Sequence, residues 1–97
     1  MAAYMLAFIE VKDMDAYLKY TAVTPDVIAK YGGKFIVRNG EKTTPEGPEE
    51  TRRVVVIEFE NLDAVHTFYY SDDYQEVLKL RQAASEGQVI IIDGFDG

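Results

Sequence analysis

Glu58 and Arg38 are the residues of this chain whose types suit proton transfer and charge stabilisation, and both lie in or at the end of strand-like segments. A carboxylate can serve as general base, while a guanidinium can hold a developing negative charge or grip a carboxylate with two parallel hydrogen bonds. On one sheet face the two would hold a polar ligand together; the same placement also describes a cross-strand ion pair that only supports strand pairing. Tyr17, Tyr20, Tyr31, Tyr69 and Tyr74 fall on helical segments that would cover the sheet. They either fill the core or wall an apolar pocket around the charged pair. Arg81 follows Tyr74 by two helical turns and is placed to meet a carboxylate at the sheet edge, or to serve a surface or interface ion pair.

Other chemistries find little support. The chain has no cysteine, which removes disulfides and thiolate nucleophiles. His66 is the single histidine and sits one position after Val65, off the Leu62-Val65-Tyr69 stripe, so it is expected in solvent. Asp72 and Asp73 read as helix-start charge before they read as metal ligands, and no phosphate loop or nucleophile with an adjacent base occurs. Neither a metal nor a cofactor is therefore expected. Arg52-Arg53 reads first as strand-entry charge and second as an anion contact.

The net charge of −7, with basic residues scattered rather than clustered, argues against nucleic acid as a partner. The apolar stretch Met1 to Ile9 has no basic segment before it and meets Glu10, and no run is long enough to span a membrane. The expected location is the cytoplasm. At 97 residues the expectation is one domain over 1–97 with a modest core, for which oligomerisation would help.

The elements that must position these side chains read in the order β-α-β-β-α-β. Ala3 to Val11 is apolar on both faces and predicts a buried strand. Asp13 caps a helix to about Tyr31, which Thr24-Pro25-Asp26 is expected to kink or divide, and Gly32 is placed to end it. Lys34 to Asn39 and Arg53 to Phe59 predict two antiparallel strands joined by the polar, proline-broken loop Gly40 to Thr51. Asn61 caps a second helix, interrupted at Ser71-Asp72-Asp73 and stopped by Gly87, before a last strand Val89 to Asp93.

This order is the α+β ferredoxin-like arrangement, a four-stranded antiparallel sheet with its helices, the second of them split, on one face. Because Val54 to Ile57 and the last strand are almost wholly apolar, the other face also needs cover. Two chains packed sheet to sheet, a dimeric α/β barrel, would supply it.

With Tyr17, Tyr20, Tyr31-Gly32-Gly33, Arg38-Asn39-Gly40, Glu46-Gly47, Arg53, Glu58-Phe59, Ser71-Asp72-Asp73-Tyr74, Arg81 and Asp93-Gly94 in order, the chain resembles the bacterial "domain of unknown function 1330" family over nearly its whole length. The resemblance implies a dimeric α/β barrel with a cleft between sheet and helices. Where that family commonly has Trp before Tyr-Asp-Ser, this chain has Phe68-Tyr69-Tyr70-Ser71, which alters a pocket wall. The wider barrel group includes cofactor-free monooxygenases, haem-degrading enzymes and isomerases; no Trp and one His argue against haem handling here.

The resulting functional expectation is a homodimer that binds a small polar or aromatic molecule in each subunit's cleft, lined by the five tyrosines and Arg81. Its catalytic form is a cofactor-free enzyme with Glu58 as base and Arg38 as charge stabiliser. The alternative is a non-catalytic dimerisation or interaction module with a filled interior.

Overall fold

Side-chain caps set where the helices begin. In the computed structural model, which describes residues 1–95, Asp13 Oδ1 accepts the Ala16 N–H at 3.1 Å. Asn61 Oδ1 accepts the Ala64 N–H at 2.8 Å, and Ser71 Oγ the Tyr74 N–H at 3.1 Å. Each cap satisfies a donor that the first helical turn leaves free. The elements are β1 (Ala3–Val11), α1 (Met14–Lys30), β2 (Lys34–Arg38), β3 (Arg53–Phe59), α2 (Leu62–Tyr69), α3 (Asp72–Ala84) and β4 (Ser85–Asp93).

Two boundaries differ from the sequence expectation. Pro25 does not divide α1, which runs as one helix with Tyr17, Tyr20, Thr24 and Ile28 along its buried face. Proline removes one backbone donor, but that continuous face stays packed, and the buried Thr24 hydroxyl donates to the Tyr20 carbonyl at 2.6 Å rather than capping a new helix. Gly87 does not end α3. The helix stops at Ala84, whose carbonyl accepts from the Lys12 and Asp13 N–H groups at 2.8 and 3.0 Å. Gly87 instead lies inside β4 opposite Ile9, where a Cβ would stand 2.3 Å from the Phe8 carbonyl oxygen. Close backbone approach, not a turn, is what this glycine serves. At Gly32 the expected left-handed turn is present, with φ +82° after α1.

The strands pair antiparallel in the order β2-β3-β1-β4. Alternation along β1 sends Ala3, Met5, Ala7 and Ile9 under the helices, all at most 6% exposed, while Tyr4, Leu6 and Phe8 face the other way and are only partly covered. Ile57 and Phe59 continue the covered face, and Phe59, Phe68 and Tyr74 stack at 5.2 and 4.4 Å between ring centres to anchor α2 and α3. The result is an α+β ferredoxin-like fold with four strands and three helices. On its open face Val37, Ile90 and Ile92 are 41%, 39% and 51% exposed, so the apolar excess foreseen for this side is there in the folded chain.

One irregularity decides which side chains meet. Lys34 and Phe35 pair with Glu58 and Ile57, but Val37 and Arg38 pair with Val56 and Val55. The register shift inserts one extra residue into β2, and past such a bulge every side chain changes face.

Candidate functional site

Between the covered sheet face and helices α1 and α3 lies a small cleft of about 40 Å³ that opens to solvent. Its apolar floor comes from alternate residues of the central strands, among them Met5, Ala7, Val55 and Ile57. Tyr17, Tyr20, Thr21 and Thr24 descend from α1, and Tyr74 and Arg81 from α3. The seven-residue interval between Tyr74 and Arg81 puts both on the buried side of α3.

Three guanidinium groups reach this cleft. Arg81 is buried at 7% exposure, 5.9 Å from the centre of the Tyr20 ring. Arg53 lies 5.4 Å from the Tyr17 ring centre, and Arg38, more exposed, covers Phe35 at 4.4 Å. Among the described residues none of the three forms an ion pair. Burial pushes the Tyr17 phenol up, and the positive charges of Arg53, Arg81 and Arg38 act against that shift. The Tyr20 and Tyr74 hydroxyls share a buried hydrogen bond of 2.8 Å, and burial pushes the Tyr20 phenol strongly up, so Tyr20 stays a neutral donor–acceptor at ordinary pH.

The remaining expected site residues go elsewhere. Glu58 does not share a face with Arg38: it points to the open side of the sheet, where its Oε1 is 3.9 Å from Lys34 Nζ. The β2 bulge is the cause, because it turns Arg38 under the helices while Glu58, between buried Ile57 and Phe59, must point away. The Tyr31 hydroxyl donates to Asp73 Oδ2 at 3.2 Å, and Lys30 pairs with the same carboxylate, tying the end of α1 to the start of α3. Tyr69 packs on Tyr74 at 5.4 Å and borders a separate shallow recess behind Arg81 with Gln82 and Ser85. His66 is exposed beside Tyr70. Arg53, read first as strand-entry charge, belongs to the cleft; its shared parity with Val55 and Ile57 was the available signal. Thr21 and Thr24 were overlooked as wall residues, although their spacing from Tyr17 and Tyr20 repeats the helical period. Among the described residues no group of three or more His, Cys, Asp or Glu side chains is arranged to hold a metal ion, and no helix is long and apolar enough to cross a membrane.

A family model described as Domain of unknown function (DUF1330) matches residues 2–95. The chain belongs to this family. In structure, the DUF1330 chain is similar to a protein of unknown function from Rhodopseudomonas palustris, at 20% identity and a TM-score of 0.77 over 99% of this chain and 84% of that one. It is also similar to SnoaB, a cofactor-independent oxygenase from Streptomyces nogalater, at 11% identity and a TM-score of 0.71, covering 99% and 95% of the two chains. A dimeric ferredoxin-like protein of unknown function from Jannaschia aligns at 12% identity with a TM-score of 0.70, over 99% and 100%. At these identities the likeness establishes the fold. No curated protein matches the DUF1330 chain.

Proposed function

We propose that this DUF1330 protein is a homodimer that binds a small organic molecule in the sheet–helix cleft of each subunit. The observation that carries the reading is the make-up of the cleft, a small space of about 40 Å³ with apolar walls and a few convergent polar groups from Tyr17, Tyr20, Tyr74 and Arg81. Ligand sites have that composition, and the opening to solvent leaves room for the walls to part around a small molecule. Homodimerisation draws support from the exposed apolar open face and from the dimeric Jannaschia protein of the same fold. Glu58 and Lys34 would then lie at the subunit interface rather than at the ligand. A catalytic form of the reading, suggested by the shared fold with SnoaB, uses Arg38 as charge stabiliser at the cleft mouth and has no role for Glu58 as base.

The test pairs the native protein with Thr21→Trp, which projects an indole from α1 into the cleft. Ligand-detected NMR with small neutral aromatics such as benzyl alcohol and benzamide is expected to show binding to the native protein and its loss in the plugged variant. Equal binding to both, or binding to neither, refutes the cleft reading. Sedimentation equilibrium is expected to give a dimer that Val56→Lys converts to monomer; a native monomer refutes that part.

A further inference from the structure

We infer that the molecule held in this cleft is a small organic carboxylate with an apolar body, its charged end held by Arg81 and Arg53 and its body lying on the strand floor. This rests on the cleft-binding reading above and names the chemistry of its ligand.

The distribution of charge carries the inference. The chain has 17 acidic residues against 10 basic ones, yet among the described residues no Asp or Glu lines the cleft, while three of its four arginines do. Arg52 supplies the internal contrast. It lies next to Arg53 but outside the sheet–helix cleft, and it is fully paired: its Nε and Nη2 donate to the two carboxylate oxygens of Glu50 at 2.9 and 2.7 Å. The fold thus neutralises the neighbouring arginine and leaves the three in the cleft without a carboxylate. Burial at 7% exposure disfavours the Arg81 charge, and Tyr74 and Tyr20 offset this, but no carboxylate among the described residues does, so Arg81 is placed for a counter-charge that arrives from outside the chain.

Geometry and lining narrow the class of anion. Arg53 lies 5.4 Å from the centre of the Tyr17 ring, and the Tyr17 hydroxyl in the same lining can donate to the same acceptor. A planar, forked donor matches the two oxygens of a carboxylate. Around this polar end Ile28, Phe35, Val55 and Ile57 offer nothing to a fully hydrated ion but suit a ring or short alkyl body. Exposure grades from buried Arg81 through half-buried Arg53 to exposed Arg38, so the anion would enter past Arg38 and come to rest against Arg81.

The experiment is calorimetric titration of the native protein with sodium benzoate, with benzamide as its neutral isostere, and with inorganic phosphate. Loss of a charge-assisted hydrogen bond costs roughly tenfold or more in affinity, so benzoate is expected to bind at least ~10-fold more tightly than benzamide. Arg81→Met is expected to abolish that preference while leaving benzamide binding within about twofold. Arg53→Gln, on the half-buried side of the cleft, gives the same readout at smaller amplitude should Arg81→Met fail to fold. Benzamide binding as tightly as benzoate overturns the carboxylate assignment and leaves the cleft reading standing. Phosphate competing as strongly as benzoate overturns the apolar-body part and makes the site a general anion site. Failure of both benzoate and benzamide to bind, or equal binding of both by the native protein and Thr21→Trp, removes the cleft reading as well.

Discussion

Replacing Arg81 by Met is expected to make the protein more stable while removing its preference for carboxylates. The side chain is 7% exposed and has no carboxylate partner among the described residues, so the desolvation of its charge is offset only by the neighbouring tyrosines, Tyr74 first. Exchanging buried ionic groups for apolar ones of similar volume is neutral or stabilising by about 1–4 kcal/mol. Two features of the site reduce that gain. The guanidinium borders a cleft partly open to solvent, and its approach to the Tyr20 ring at 5.9 Å is a cation–π contact of about 0.5–2 kcal/mol that Met loses. Met keeps most of the stem's packing, which leaves a net gain of about 1 kcal/mol, or about 4–8 °C in Tm for a domain near this length. Differential scanning calorimetry at one fixed protein concentration, without ligand, reads the change; fixing concentration matters because a dimer's Tm moves with it. Arg52→Met is the control, and its surface pair with Glu50 predicts a nearly unchanged Tm. A fall of several degrees in Arg81→Met refutes the reasoning, since it would mean that the fold itself compensates this cation and has no need of an anionic ligand.

Tyr20→Phe leaves the Tyr74 hydroxyl buried without its 2.8 Å partner and is expected to cost about 1–3 kcal/mol in urea unfolding, whereas adding Tyr74→Phe costs less than the sum of the single changes. Additive costs would show that the two hydroxyls do not depend on each other. Gly87→Ala drives a Cβ to 2.3 Å from the Phe8 carbonyl oxygen and is expected to destabilise by about 1–3 kcal/mol through separation of β1 from β4; unchanged stability would contradict the close approach. Lys30, and after it Tyr31, hold the Asp73 carboxyl below the usual carboxylate range, so the stability it contributes is complete above the unfolded pKa of about 3.9 and is lost as pH falls through the lower folded value. The Asp73→Asn protein is expected to be less stable than native at neutral pH and to converge with it in acid; parallel stability curves down to pH ~2 would exclude the linkage.

The fold was legible because it rests on local rules that the sequence states directly. Asp13, Asn61 and Ser71 cap their helices as their positions before apolar periodic segments imply, and the alternation in β1 and β3 puts Met5, Ala7, Ile57 and Phe59 on one side. Pro25 and Gly87 misled because each has two structural uses. Proline can open a helix or be carried within one when tertiary packing holds both sides; glycine can end a helix or permit two strands to touch.

The site was half legible, and the dividing line is strand parity. Glu58 lies between Ile57 and Phe59, so the strand alone assigns it to the face opposite the core. Arg53 has the parity of Ile57, which assigns it to the cleft as firmly as any apolar residue, although a charge at a strand's first position invites the reading of surface solubility. For Arg38 parity fails. Counted from Lys34 without interruption, Arg38 falls on the same face as Lys34 and Glu58, and the two-residue pair expected from the sequence follows at once. The extra residue between Phe35 and Val37 reverses it, and nothing in Phe35-Ile36-Val37 marks a bulge, since glycine is absent and all three residues favour extended strand. A single unpaired backbone position therefore separates an acid–base pair from a triad of arginines with no acid among them, and it changes the expected ligand from one that donates a proton to one that carries a negative charge.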